Sequence, residues 1–343
     1  MWYYFNKSKF YETEFNTTSN LLKNYFKSID IVLHSAAKSE ETDYEKNLKI
    51  LEDYFENSPK CSKKIRSFDE YLGKISLEER QKFKNIIKTN LEIKNYLKDY
   101  DSFISYKNLK DYGFSTEFTN ILREMDNAFW EYLSSKDNGS VKKQYYEMLY
   151  NSLNGKIYCP FCGINKLKNT NTSVKLSPLE HFIPKAKYPF VAWNTDNIFL
   201  SCEDCNSKKG EKILNKKNIK FFPIGFDINP QLKLDSYDLI VEEDSSIDSY
   251  NCSIEFILGN ISPDDFSEYL STWDHLFSIE DRVKESLISY VKKKEREFKR
   301  KKRKNKNFDF LTDIEVELEE AEKDGNIIKI AYLKYKEDEL KNN

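Results

Sequence analysis

A chain of 343 residues exceeds one typical small domain, so two or three folding units are expected. Its 55 Lys and Arg against 57 Asp and Glu leave a net charge of −2, which neither favours nor excludes a nucleic-acid partner, because local patches decide such binding. No run of about 18 apolar residues offers a membrane span, and Met1 to Lys7 turns polar with no basic stretch ahead of a long apolar one, so no signal peptide is read and a cytosolic location is expected.

Residues 1–155 read as a helical N-terminal region. Tyr44, Leu48, Leu51 and Phe55 recur at helical spacing, and Ser76 with Glu79 has the pattern of a capping box ahead of Phe83, Ile86, Ile87 and Leu91. Phe118, Leu122, Met125, Phe129 and Leu133 form a further stripe, followed by Val141, Tyr145, Met148 and Leu149. Such stripes bury against a core. Over residues 156–214 the helical period vanishes and Gly, Pro, Cys and Asn appear. Residues 215–343 read as a mixed, then helical, C-terminal region. Leu239-Ile240-Val241 and Ile254-Glu255-Phe256-Ile257 are strand candidates. Ser262-Pro263 and Ser278 with Asp281 mark helix starts, Asp324-Gly325-Asn326 a break, and Ile328 to Leu340 a last amphipathic stretch. The expected class is mainly α with a small α+β core.

Six cysteines in a cytosolic chain of this length do not make a disulfide framework. Cys159-Pro160-Phe161-Cys162 and Cys202-Glu203-Asp204-Cys205 are two C-x-x-C knuckles. Two intervening residues let a tight turn aim both sulfurs at one ion, and four thiolates close a tetrahedral Zn²⁺ shell with no open position. Such an ion is structural and pins the entry of this segment to its exit. An iron–sulfur cluster and four buried free thiols are the competing readings. Cys61 and Cys252 have no partner pattern and read as small apolar residues.

Between the knuckles lies Leu179-Glu180-His181-Phe182-Ile183-Pro184-Lys185, then Trp193-Asn194-Thr195-Asp196-Asn197-Ile198-Phe199-Leu200-Ser201, and after Cys205 comes Asn206-Ser207-Lys208-Lys209-Gly210. An imidazole has a pKa near operating pH, which suits a general base, and Glu and Asn oxygens suit a hard cation. Adjacent strand residues face opposite ways, so Glu180 and His181 share a site only where the strand bends; Pro184 permits a turning exit. His34 and His275 read as packed or surface residues, Asn194 and Asp196 as loop residues.

Over about 60 residues this pattern resembles the HNH endonuclease superfamily, and the Glu-His-Phe-x-Pro-Lys form is similar to the HNH subunits of Septu-type and retron-associated anti-phage systems. A weaker similarity extends to Trp273, Phe277 and Arg282. The resemblance implies a ββα-metal module over 156–214 and metal-dependent cleavage of DNA. His181 is then the general base. Glu180 and Asn206 are ligands of a catalytic Mg²⁺ or Mn²⁺, Asn197 braces the loop that orients His181, and Lys209 neutralises phosphate. It also implies a protein partner, an ABC-type ATPase, in anti-phage defence. The rival readings are a non-catalytic zinc-bound module that binds nucleic acid or protein, and a stand-alone restriction endonuclease.

Lys185, Lys187, Lys208, Lys209 and Lys212 surround the motif and can contact phosphate without reading sequence. The basic run over 292–306 fits a DNA-holding arm, a face paired with the acidic 314–324 stretch, or a docking segment.

Overall fold

A computed structural model describes residues 20–21, 38–93, 103–134, 139–168, 176–213, 230–240, 249–258 and 263–342. His34, Val241 and Ser262 lie outside them, as do the first seven residues. Ten helices and two small hairpins are described. None of the helices is long and apolar enough to cross a membrane.

The helical N-terminal part begins with α1 (Lys38–Tyr54), α2 (Pro59–Lys74) and α3 (Leu77–Leu91). Pro59 stands at the first position of α2, where its missing N–H costs nothing. The Ser76 hydroxyl accepts the Glu79 amide at 3.2 Å and the Glu79 carboxylate takes the Ser76 amide at 2.8 Å, so the capping box is complete. The Phe118 stripe lies on α4 (Thr116–Ser134), whose Phe118, Leu122, Met125, Phe129 and Leu133 are all buried. Helix α4 packs on α2 and is followed by α5 (Gly139–Asn151), which carries Val141, Tyr145 and Leu149 into the core.

After α5 the chain makes a very small α+β unit. Strands β1 (Leu179–His181) and β2 (Ile198–Leu200) pair antiparallel, with Glu180 opposite Phe199 and His181 opposite Ile198. Helix α6 (Glu203–Lys209) follows at once. It stops at Gly210, whose amide returns to the Asn206 carbonyl at 3.0 Å and whose φ of 47° disfavours a side chain.

The C-terminal part opens with the longer hairpin of β3 (Pro230–Ile240) and β4 (Ser249–Leu258), which bulges between Leu234 and Ser236. Cys252 stands there opposite Tyr237. Helices α7 (Pro263–Phe277), α8 (Ile279–Lys304), α9 (Phe310–Asp324) and α10 (Ile327–Asn342) complete it. Helix α8 starts where expected, but by other chemistry: Ser278 is left-handed and makes no side-chain cap, and Asp274 of α7 accepts the Glu280 amide at 3.0 Å. The break at Asp324-Gly325-Asn326 holds, with Gly325 left-handed and Asn326 accepting the Lys329 amide. Buried apolar side chains form one cluster running from Leu51 to Leu333, and the small hairpin lies inside it.

Candidate functional site

The four knuckle cysteines are buried and their sulfurs lie within 4.8 Å of one another. The sulfurs of Cys162 and Cys202 are 3.8 Å apart, close to the separation of about 3.8 Å set by two 2.3 Å bonds at a tetrahedral angle. The first knuckle folds because Cys159 bonds Asn165 through its amide and Gly163 returns to the Cys159 carbonyl at 2.7 Å. Gly163 is obligatory twice over: its φ is 63°, and a Cβ there would lie 2.8 Å from Ile327 of α10. In the second knuckle Cys202 caps α6. The sulfurs accept N–H groups throughout: Ile164 and Cys205 amides at 3.4 Å on Cys162 and Cys202, and the Cys202 amide at 3.3 Å on Cys159. Arg282 of α8 donates to the Cys205 sulfur at 3.3 Å and to the Phe277 carbonyl. Four thiolates around Zn²⁺ leave two negative charges, and Arg282 offsets one of them. Trp273 donates to the Phe161 carbonyl at 2.7 Å, and Phe277 stacks on Phe161. The donor set, spacing and N–H⋯S shell fit a structural Zn²⁺.

Glu180 and His181 leave β1 towards different partners. A Glu180 oxygen meets the Lys209 ammonium at 2.8 Å, with both side chains buried. The same ammonium donates to the His181 carbonyl at 2.7 Å. Lys209 is therefore a tie between α6 and β1. Burial pushes the Glu180 carboxyl up and the Lys209 ammonium down, and each partner opposes the shift of the other. Asn206, half-buried, closes the first turn of α6 through its amide on the Cys202 carbonyl. It sits three residues before Lys209 and so on the same side of the helix.

His181 is buried, with its Nε2 2.7 Å from the Ala192 carbonyl. A carbonyl only accepts, so Nε2 carries the proton and Nδ1 keeps its lone pair. Nδ1 makes no hydrogen bond among the described residues. Burial, then Lys185, Lys209 and Lys142, pull the imidazole down to about 3, so it is neutral at ordinary pH.

Asn197 knots the loop around this imidazole. Its Oδ1 accepts the Ile183 amide at 2.6 Å, and its Nδ2 donates to the Ile183 and Val191 carbonyls at 2.9 and 3.0 Å. Asn194, expected as a plain loop residue, is buried and donates to the Leu91 carbonyl at 3.0 Å. The Thr195 carbonyl takes the Tyr145 hydroxyl.

The motif alone did not point to three residues of the helical part. Asp126 of α4 accepts the Phe190 amide at 2.8 Å, the Trp193 indole N–H at 2.9 Å and the Tyr106 hydroxyl, and burial lifts its carboxyl to about 6. It thereby holds the loop whose Ala192 carbonyl accepts the His181 Nε2–H hydrogen bond. Trp130 sets its ring edge-to-face on His181, centroids 4.5 Å apart. Lys142 of α5 and Lys185 bring their ammoniums within 5.9 and 5.7 Å of the Trp130 ring centre. One signal was present: Asp126 is a carboxylate on the apolar face of its helix, four residues after Leu122 and three before Phe129.

Of the other basic residues near the motif, Lys187 and Lys212 donate to the Glu211 and His275 carbonyls. On α8, Lys294 and Lys301 pair with Glu317 and Asp313 of α9 at 2.6 and 2.7 Å, while Lys292, Lys293, Arg296 and Arg300 line an open groove on another side. Compared with family models, with curated proteins and with solved structures, the chain matches none of them.

Proposed function

We propose that this chain is a metal-dependent HNH-type endonuclease that cleaves DNA. The observation that carries the reading is the placement of His181: an imidazole fixed through Nε2 on the Ala192 carbonyl, with the Nδ1 lone pair free to accept. Burial holds its pKa at about 3, too low for a general base, and the negative charge of a bound phosphate would raise it. Around it stand a β1–β2–α6 arrangement and a four-cysteine cluster, the frame that the HNH resemblance implies.

In this reading Nδ1 of His181 takes a proton from water, and the resulting hydroxide attacks phosphorus. The bond from phosphorus to the 3′ oxygen breaks, and that oxygen leaves with its electron pair and is protonated by solvent. A bound Mg²⁺ or Mn²⁺ would lower the cost of charge on the phosphoryl and leaving oxygens. Glu180 and the Asn206 carboxamide would be its protein donors, a small set that suits an ion keeping water and phosphate in its shell. One Glu180 oxygen is tied to Lys209, so an ion held by Glu180 would share that carboxylate with the tie to α6. Asn197 acts through the loop it knots. The Glu-His-Phe-x-Pro-Lys resemblance supports an anti-phage setting with an ABC-type ATPase as partner.

A second reading is favoured by one observation. The Glu180–Lys209 pair is already neutral and closed, which suits a zinc-held binding module with no catalysis. Plasmid nicking with Mg²⁺ or Mn²⁺, with and without an ABC-type ATPase, separates the two. The nuclease reading expects nicking by the wild-type chain and none by His181→Ala at unchanged zinc content. Equal nicking by both proteins, or none by either even with the ATPase, rejects it.

A further inference from the structure

We propose that Trp130, Lys142 and Lys185 form a phosphate-binding wall beside His181, built to hold a backbone phosphate of DNA next to the one that is cut. The inference rests on the nuclease reading for its choice of DNA and adds residues from outside the 156–214 segment. Its basis is an unbalanced set of charges. Lys142 and Lys185 both reach one indole ring, at 5.9 and 5.7 Å from its centre, and that ring meets the His181 imidazole at 4.5 Å. Neither ammonium forms an ion pair with a carboxylate among the described residues, and Lys185 acts only at longer range on the buried Asp126 carboxyl. Other cations nearby do: Lys209 has Glu180, and Lys143, adjacent to Lys142 on α5, has Glu147 at 3.8 Å.

Lys142 is also partly desolvated, which pulls its ammonium down with no acid to compensate. Two cations drawn to one half-buried ring repel each other, and an indole nearly 6 Å away attracts each only weakly. A phosphate between them removes the repulsion and takes charge-assisted hydrogen bonds from both. The two lysines come from separate parts of the chain, α5 and the turn after β1, so the wall exists only in the folded whole.

The test is the salt dependence of binding to a short DNA duplex in EDTA, where cleavage is suppressed. Each lost phosphate contact lowers the slope of log K against log[KCl] by about 0.9. Lys142→Met/Lys185→Met, which gives up the one phosphate they share, is expected to lower it by about 0.9, whereas Lys143→Met, which removes the same charge one position along, leaves it unchanged. Lys142→Arg/Lys185→Arg keeps the cations and is expected to keep the slope, which separates charge from misfolding. An unchanged slope in the Met double variant overturns the wall, as does an equal loss in Lys143→Met or a wild-type chain whose binding ignores salt. Nicking assays report independently: an intact slope in the Met double variant with nicking by the wild type rejects the wall alone, and a lowered slope in that variant with no nicking by the wild type, even with the ATPase, rejects the nuclease alone.

Discussion

His181 is held neutral by burial and by cations, and that has a consequence for stability whatever the protein does. In the unfolded chain an imidazole takes a proton near pH 6.5, and in the folded protein only near 3. Its contribution is therefore fully present above 6.5 and is lost as pH falls through about 3, at roughly 1.4 kcal/mol per unit. Asp126 runs the other way. Its carboxyl, lifted to about 6, contributes stability below the unfolded value of 3.8 that is lost as pH rises through 6. The two oppose each other between about 4 and 6. Urea unfolding at pH 7 and pH 4 is expected to show a smaller acid loss for His181→Ala than for wild type; equal losses would show that the folded site accepts the proton freely. Asn197→Ala removes an acceptor and two donors from buried partners. It should cost about 2–4 kcal/mol, seen as a lower urea midpoint with zinc content intact. His181 stood out in the sequence as the histidine between the knuckles. The Glu180–Lys209 pair did not, because residues 29 positions apart meet only through the docking of α6 on β1.

Most helices were legible as elements, since period, capping box and the Gly325 stop are local properties of the chain. Strands β1 and β2 were expected only through the family resemblance, because three residues carry no period of their own and their pairing is fixed by the loop between them. The start of α8 was legible in place but not in chemistry, since its cap comes from Asp274 on the preceding helix. The knuckles were plain from spacing, yet their outer shell spans α7 and α8. Arg282 reaches the Cys205 sulfur and Trp273 the Phe161 carbonyl. Arg282→Leu should therefore weaken zinc retention against a chelator by about 10–100-fold, read as faster release of metal to a colorimetric dye. Retention equal to wild type would mean the guanidinium contributes nothing to the thiolate shell. The basic run divides by face: Lys294 and Lys301 are engaged with α9, whereas Lys292, Lys293, Arg296 and Arg300 line an open groove together with Glu297.

At the scale of the whole molecule, residues around His181 are drawn from the helical part that precedes the 156–214 segment. Asp126 holds Phe190 and Trp193, Asn90 holds the Ile104 amide and carbonyl, and the Leu91 carbonyl holds Asn194. The loop carrying Ala192 is thus positioned by helices that the motif does not contain. No spacing rule links Asp126 to Trp193, so this dependence becomes visible only in three dimensions. Asp126→Asn keeps the volume but turns one of two acceptor oxygens into a donor, so one of the three groups now bonded to Asp126 loses its acceptor. In the full chain it should cost about 1–3 kcal/mol and loosen the grip of Ala192 on His181. A peptide of residues 156–214 is the stronger version of the same experiment. Its four cysteines should still take up one Zn²⁺, but the hairpin loses the contacts that bury it, and Trp193 loses its partner. Near-ultraviolet circular dichroism of that indole, compared with the full chain, should show a flat signal, and nicking should be absent. A peptide that folds and cuts DNA like the full chain would show that the helical part is dispensable for placing His181.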